Sequence, residues 1–243
     1  VVEISNSSIS PSSIVNILTL RYDPSINPNL PKKTWKDFEP IDEPLNPISI
    51  ENSICNEIEK KLNYINEQEI SIALSGGVDS ALMLSLLRKT KPDVKINAVS
   101  IKFANSIDET PAASKIAEKY NADHHIIDLE NYLSELPKAI SIIKLPFWDL
   151  HWYYVVKKSQ TMSKILISGD GGDELFAGYT FRYKKFLSLT SENSNTNEKV
   201  KAYLECHERD RVPDQENIFN QKCQFSWDSI YNVLSPFFDN NLS

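Results

Sequence analysis

Two short stretches hold every glycine of the chain. Gly76 and Gly77 lie in Ser75-Gly76-Gly77-Val78-Asp79-Ser80, and Gly169, Gly171, Gly172 and Gly178 lie in SGDGGDELFAGY, which runs from Ser168 to Tyr179. Ordinary glycine usage would give a chain of this length about 17; this one has 6. Turns elsewhere are made with Pro, Asn, Asp and Ser, so glycine is kept for places where a side chain is not tolerated, above all where backbone approaches a ligand. The first stretch sits between an apolar run, residues 70–74, and a helical run, residues 81–88. Strand, glycine loop and helix together make an anion nest: unobstructed N–H groups point at phosphate oxygens and the helix dipole adds positive potential. The Gly-Lys-Ser/Thr of a Walker A loop is missing, and an acid, Asp79, stands where a cation would be expected. Asp79 beside phosphates makes sense as a ligand to Mg²⁺, a hard ion that takes one or two carboxylates plus phosphate oxygens. In the second stretch Asp170, Asp173 and Glu174 crowd three carboxylates onto a glycine-rich turn, an arrangement that repels itself without a counter-cation. Mg²⁺ shared by Asp79 and Asp173 resolves the conflict and leaves Asp170 and Glu174 to face a reacting centre.

The elements that must position these residues can be read from periodicity. Residues 1–49 carry most of the prolines and no glycine, and read as an extended N-terminal arm with one apolar run, residues 14–20, suited to a strand. Ile50, Ile54, Ile58, Leu62 and Ile65 recur at helical spacing. Beyond them, strands are predicted over 70–74, 95–103, 125–129 and 164–168, and helices over 81–88, 108–120, 131–143 and 149–162. Alternation at this spacing predicts an α/β fold, a doubly wound parallel sheet with helices on both faces. Ligands of such sheets bind at the carboxyl ends of the strands. Both glycine clusters follow strand ends, so they are expected to meet over one site. Residues 190–197, TSENSNTN, read as a polar linker to a small helical C-terminal subdomain ending at 243. The central unit is thus bounded at 50–189.

Composition narrows the function classes. Lys+Arg 26 against Asp+Glu 33 gives a net charge of -7, and no basic block is present to bind nucleic acid or anionic membrane. No run approaches the ~18 apolar residues of a membrane span, and the N-terminus lacks the features of a signal peptide, so a cytoplasmic protein is expected. Cys55, Cys206 and Cys223 have no metal-ligand spacing and do not form a disulfide framework. Among the aromatic residues, His151, Trp152, Tyr153 and Tyr154 follow Pro146-Phe147-Trp148-Asp149 at helical spacing, which reads as core rather than pocket. His151 reads as a satisfied helix histidine, and His124 and His125 receive no catalytic role.

The loop SGGVDS resembles the pyrophosphate loop of the ATP-pyrophosphatases, whose fold is that of the adenine nucleotide alpha hydrolases, and the run from Ser168 to Tyr179 resembles the synthetase-domain signature of the asparagine synthetase family. Ser235-Pro236-Phe237-Phe238-Asp239 is similar to that family's Pro-Phe-Leu-Asp element. The resemblance covers the chain from about residue 50 onward. It implies an ATP-dependent, AMP-forming amide ligase. A carboxylate, aspartate as first guess, is activated on Mg·ATP and transferred to ammonia or an amine, with Asp170 and Glu174 catalytic. It further implies that backbone at Leu74 and Ile101 reads adenine, that Ser75, Gly76, Gly77, Val78, Asp79 and Ser80 hold pyrophosphate, and that Ser168 and Gly169 contact ribose and phosphate. Three departures stand out. The chain begins at Val1 without the family's glutaminase domain, so glutamine hydrolysis is not expected. The family lysine beyond the Pro-Phe-Leu-Asp element is missing, and Leu234 stands where the family has arginine. A partner subunit or homo-oligomer is therefore expected to complete the site, with Lys222 the nearest cation in sequence. The competing expectation is a catalytically silent nucleotide-binding subunit.

Overall fold

The computed structural model describes residues 10–23, 46–63, 67–103, 107–144, 149–208, 212, 214–219, 223 and 225–238. Its elements in chain order begin with α1 (Pro11–Leu20), α2 (Pro47–Leu62), β1 (Glu69–Ala73), α3 (Val78–Thr90) and β2 (Lys95–Phe103). There follow α4 (Thr110–Lys119), β3 (Asp123–Leu129), α5 (Leu136–Ile143), α6 (Leu150–Ser159), β4 (Leu166–Ile167) and α7 (Gly172–Leu175). The last four are α8 (Thr180–Leu189), α9 (Thr196–Cys206), α10 (Gln215–Ile218) and α11 (Trp227–Phe238). The chain divides into two compact units, one from residues 33–139 and 149–176, the other from 1–32, 140–148 and 177–243.

The first unit is built on a sheet of order β3-β2-β1-β4, parallel throughout, with helices on both sides. Ile70, Ser71 and Ile72 of β1 are all buried, as a central parallel strand covered on both faces requires. Leu84 and Leu87 of α3 and Ile58 and Leu62 of α2 close the same core. Each of these aliphatic side chains contributes about 1.5–3 kcal/mol by leaving water. α2 starts three residues before the periodic pattern does, because Asn46 caps it through the Ile48 N–H at 2.9 Å and Pro47 occupies its first turn.

The second unit gathers α1, α9 and α11 around Val15, Val200, Leu204, Phe219, Ile230 and Leu234. The strand expected over residues 14–20 is a helix. Ser10 accepts the Ser13 N–H at 3.1 Å and Pro11 follows, a helix start that decides an apolar run too short to show its own period. The polar stretch 190–197 ends two residues sooner than expected, since Asn195 and Glu198 form a reciprocal capping box that launches α9 at Thr196. Leu234 is 1% exposed and belongs to this core. The three cysteines are unpaired. Among the described residues, no helix is long and apolar enough to cross a membrane.

At the amino edge of the sheet the Arg88 guanidinium ties several turns together. Its Nε donates to Tyr120 O at 2.8 Å, and its two terminal nitrogens donate to Pro92 O and Val94 O at 2.8 Å and to Asn121 O at 2.6 Å. Lysine has one point charge where these carbonyls need a fork. Arg88→Lys and Arg88→Ala should each lower stability by about 2–4 kcal/mol, read as a drop in urea midpoint at unchanged slope.

Candidate functional site

β1 ends at Ala73, and a short loop carries the chain to Gly77, whose extended φ of -82° and ψ of 163° cap α3 without a side chain. Two serines brace that loop. Ser80 Oγ accepts the Ser75 N–H at 3.1 Å and lies 2.9 Å from Ser75 Oγ, while Ser75 Oγ accepts the Gly77 N–H at 3.1 Å. Both hydroxyls are thus committed to loop geometry. The register Ile72↔Ile167 places β4 beside β1, so Ser168 and Gly169 emerge next to the loop.

The glycines reveal how close that meeting is. A Cβ on Gly169 would lie 2.8 Å from the Asp79 carbonyl carbon and from the Ser80 nitrogen. One on Gly172 would lie 3.0 Å from Asp79 Cγ, and one on Gly76 3.2 Å from Ala112 Cβ. Gly171 needs no space but has φ +92°. Most of these glycines therefore serve approach of chain to chain or a left-handed turn, where the sequence pointed first to a ligand. Gly77 is the exception: a Cβ there meets only the Ser75 hydroxyl, at 3.1 Å, so the loop's outer side is left open.

The two clusters border one cavity of about 410 Å³ at the carboxyl ends of the strands. Ala73, Leu74, Val99, Ile101, Phe103 and Ala113 give it an apolar end, and Ser75, Asp79, Ser80, Ser168, Gly169 and Asp170 a polar one. Of the residues singled out in the sequence, Gly76, Gly77 and Val78 belong to the same loop without lining this cavity, and Val78 is 77% exposed. Asp173 and Glu174 sit on α7, directly after Gly172 against the Asp79 carboxylate. Partial loss of hydration, with the nearby Asp149 and Glu174 carboxylates, raises the Asp170 pKa, while His151 opposes the rise. No lysine or arginine among the described residues pairs with Asp79, Asp170 or Asp173. Nor is any group of three His, Cys, Asp or Glu among them arranged to hold a metal unaided. Asp79 beside the turn that carries Asp173 fits a Mg²⁺ ion whose remaining ligands come from phosphate and water.

The backbone at the cavity's apolar end is held from the side. Leu74 N–H donates to Val99 O at 2.9 Å, so by strand alternation Ile101 also directs its N–H toward β1, past the last residue of that strand. The Leu74 carbonyl accepts the Ser100 hydroxyl at 2.6 Å. Having given its proton there, Ser100 Oγ must accept from His124 Nε2 at 2.8 Å, and His124 Nδ1 lies 2.8 Å from Ser114 Oγ. His124 Nε2 thus carries a proton, and burial followed by the charge of His125 lowers the pKa of the ring below the usual histidine value.

Sequence reasoning missed Phe103, Glu109, Thr110, His151, Trp152 and Val155 on the cavity wall. The aromatic segment read as core is divided by helix α6. Tyr154 is buried and donates to Tyr132 O at 3.0 Å, whereas His151, Trp152 and Val155 share the face toward the cavity. The spacing 151/152/155 against 154 was the available signal. Residues 145–148, Lys222 and Asp239 lie outside the described residues.

Comparison with known proteins finds the asparagine synthase family over residues 61–234. The chain is 31% identical over 121 residues to glutamine-hydrolysing asparagine synthetase 1 of Bacillus subtilis, covering 48% of this chain and 19% of that protein. It is 29% identical over 143 residues to the glutamine-hydrolysing asparagine synthetase of Rattus norvegicus, covering 53% and 25%. The chain thus spans a quarter or less of the length of these relatives. Among solved structures, an NH₃-dependent NAD synthetase from Campylobacter jejuni aligns over 80% of this chain and 95% of its own, with TM-score 0.41 and 15% identity.

Two measurements check the site's construction. Gly169→Ala should cost ~1–3 kcal/mol of stability because its Cβ meets backbone, while Gly77→Ala, whose Cβ meets one side-chain hydroxyl and no backbone, should cost less than half as much; equal losses would contradict the contact. His124 binds a proton less readily folded than unfolded, so its contribution to stability is present above pH 6.5 and is lost as pH falls through the lower folded value. The urea midpoint should therefore fall between about pH 7.5 and 5, and His124→Gln should remove part of that slope.

Proposed function

The chain belongs to the asparagine synthase family, and from that premise we propose that it is an ATP-dependent carbon–nitrogen ligase that activates a carboxylate as an acyl-adenylate. The observation that carries this reading is the seating of Gly169 on the Asp79–Ser80 backbone, which brings both glycine clusters to one cavity. Adenine lies in the apolar end against Leu74 and Ile101, with ribose and α-phosphate at Ser168 and Gly169. The β- and γ-phosphates rest on the Ser75–Ser80 loop and the amino end of α3. Asp79 and Asp173 hold Mg²⁺, which when bound neutralises the phosphate oxygens.

In this reading a carboxylate oxygen of the acid forms a bond to the α-phosphorus, and the bond from that phosphorus to the bridging oxygen breaks. Pyrophosphate departs with the electron pair into the loop. Ammonia or an amine then attacks the acyl carbon and AMP leaves, so hydroxide is never the leaving group. Asp170, whose raised pKa suits a proton acceptor, takes the proton lost by the attacking nitrogen. The neighbouring Glu174 carboxylate, by repulsion, makes Asp170 readier to take that proton. The protein's contribution is chiefly position and charge compensation. Aspartate is the acid proposed first, and glutamine hydrolysis is no part of the chemistry assigned to these residues. A silent nucleotide-binding subunit is the second reading, favoured by one observation: Leu234, at the family's arginine position, is an apolar core residue.

Exchange of labelled pyrophosphate into ATP, measured with a panel of amino acids, separates the two. Exchange dependent on one acid supports the ligase, and tight ATP binding with no exchange for any acid supports the silent subunit. Asp79→Asn and Asp173→Asn should each lower Mg²⁺-dependent ATP affinity at least ~10-fold. Gly77→Val should abolish ATP binding with the fold intact, and unchanged affinity in all three variants would overturn the nucleotide assignment.

A further inference from the structure

The chain has 4 histidines, and in three the ring is fixed by the protein. His124 sits between Ser100 and Ser114, His125 Nε2 lies 3.2 Å from Asn97 Oδ1, and His207 Nδ1 lies 3.2 Å from an Arg182 nitrogen. His151 differs. Its backbone N–H donates to the Tyr132 hydroxyl at 3.1 Å and its ring lies 5.5 Å from that of Trp152, yet among the described residues neither ring nitrogen has a hydrogen-bond partner. A half-buried imidazole left without a protein partner keeps its whole hydrogen-bonding capacity for what enters the cavity.

The charge on the cavity wall makes that capacity useful. Asp79, Glu109 and Asp170 line it, and His151 is the one basic side chain among the described lining residues. A wall of carboxylates repels both a nucleotide and an acid. In the reading above, the loop N–H groups and Mg²⁺ answer the β- and γ-phosphates, but neither serves the group that joins nucleotide to acid. His151 lies within electrostatic range of Asp170, where that group reacts.

We propose that His151 is a ligand-contacting residue of this cavity, donating a ring N–H to an anionic oxygen at the junction of nucleotide and acid. This rests on the nucleotide reading. The oxygen belongs either to the α-phosphate or to the carboxylate of the acid, and both have the chemistry an imidazole N–H recognises. The same ring can donate in its neutral form through one nitrogen and in its charged form through either. Trp152 stands beside it on the same wall, its ring tilted 43° to the imidazole.

The test uses the 243-residue chain with AMP, adenosine and L-aspartate as probes. Calorimetric titration should give His151→Ala an AMP affinity about tenfold below the parent, with adenosine affinity unchanged, and His151→Gln should recover part of the loss because its amide keeps a donor. If AMP binding is unchanged but the KM for aspartate rises about tenfold at saturating ATP, the oxygen is the acid's, and the proposal stands. Unchanged AMP affinity together with unchanged aspartate KM would overturn it, as would an equal loss for adenosine, which would mark His151 as a shaper of the cavity. A parent chain that binds neither AMP nor adenosine would overturn the nucleotide reading and this assignment together, so the two failures are distinguishable. Retained adenosine binding in His151→Ala also shows that the variant is folded.

Discussion

The contact on which the site depends is between two stretches of main chain. Gly169 rests on the peptide that joins Asp79 to Ser80, so near that a single methyl group would overlap it. Without this approach the second cluster would stand away from β1, and the carboxylates of the two loops would belong to separate surfaces. Everything else follows from keeping it. Ser75 and Ser80 spend their hydroxyls on fixing the loop that Gly169 meets, and Gly171 turns the chain with a positive φ so that Asp173 follows Gly172 beside Asp79.

Much of this was legible in the sequence because it rests on residue types with few alternatives. Glycine confined to two clusters, each after an apolar run, announces two strand ends that admit no side chain, and the registers of β1 with β2 and β4 bear out a shared edge. The second strand, residues 95–103, was read with its observed bounds because a continuous buried run flanked by Pro and Asp leaves little choice. What escaped was set by tertiary context or by capping. Residues 14–20 look like a strand until Ser10-Pro11 is weighed as a helix start. Helical spacing sets His151, Trp152 and Val155 apart from Tyr154, but which of the two faces turns to the cavity depends on how α6 meets β2 and β3, a fact that periodicity alone does not supply. The purpose of individual glycines was also hidden, since approach to a ligand and approach to another strand leave the same mark in a sequence.

Electrostatically the site is unusual for what it is proposed to hold. An acidic chain offers polyanionic substrates a wall bearing three carboxylates and no lysine or arginine among its described residues. Attraction must then come from groups that carry no formal charge or bring their own: backbone N–H groups, the amino end of α3, a divalent ion and an imidazole. Such a site discriminates by geometry, because dipoles and hydrogen bonds reward only ligands whose oxygens fall in the right places, whereas a cluster of lysines would accept almost any anion.

β4 contributes only two residues to the sheet, paired with Ser71 and Ile72 at its edge. So short an edge offers little template for pairing with another chain. It also means that the segment carrying Ser168 to Leu175 hangs from two rungs of the ladder rather than from a full strand. A nucleotide spanning both loops would supply the missing cross-links, so its arrival and the ordering of that edge become one thermodynamic event. Affinity and rigidity would then rise together, and a part of the binding free energy would be stored as order in the protein rather than expressed as tightness.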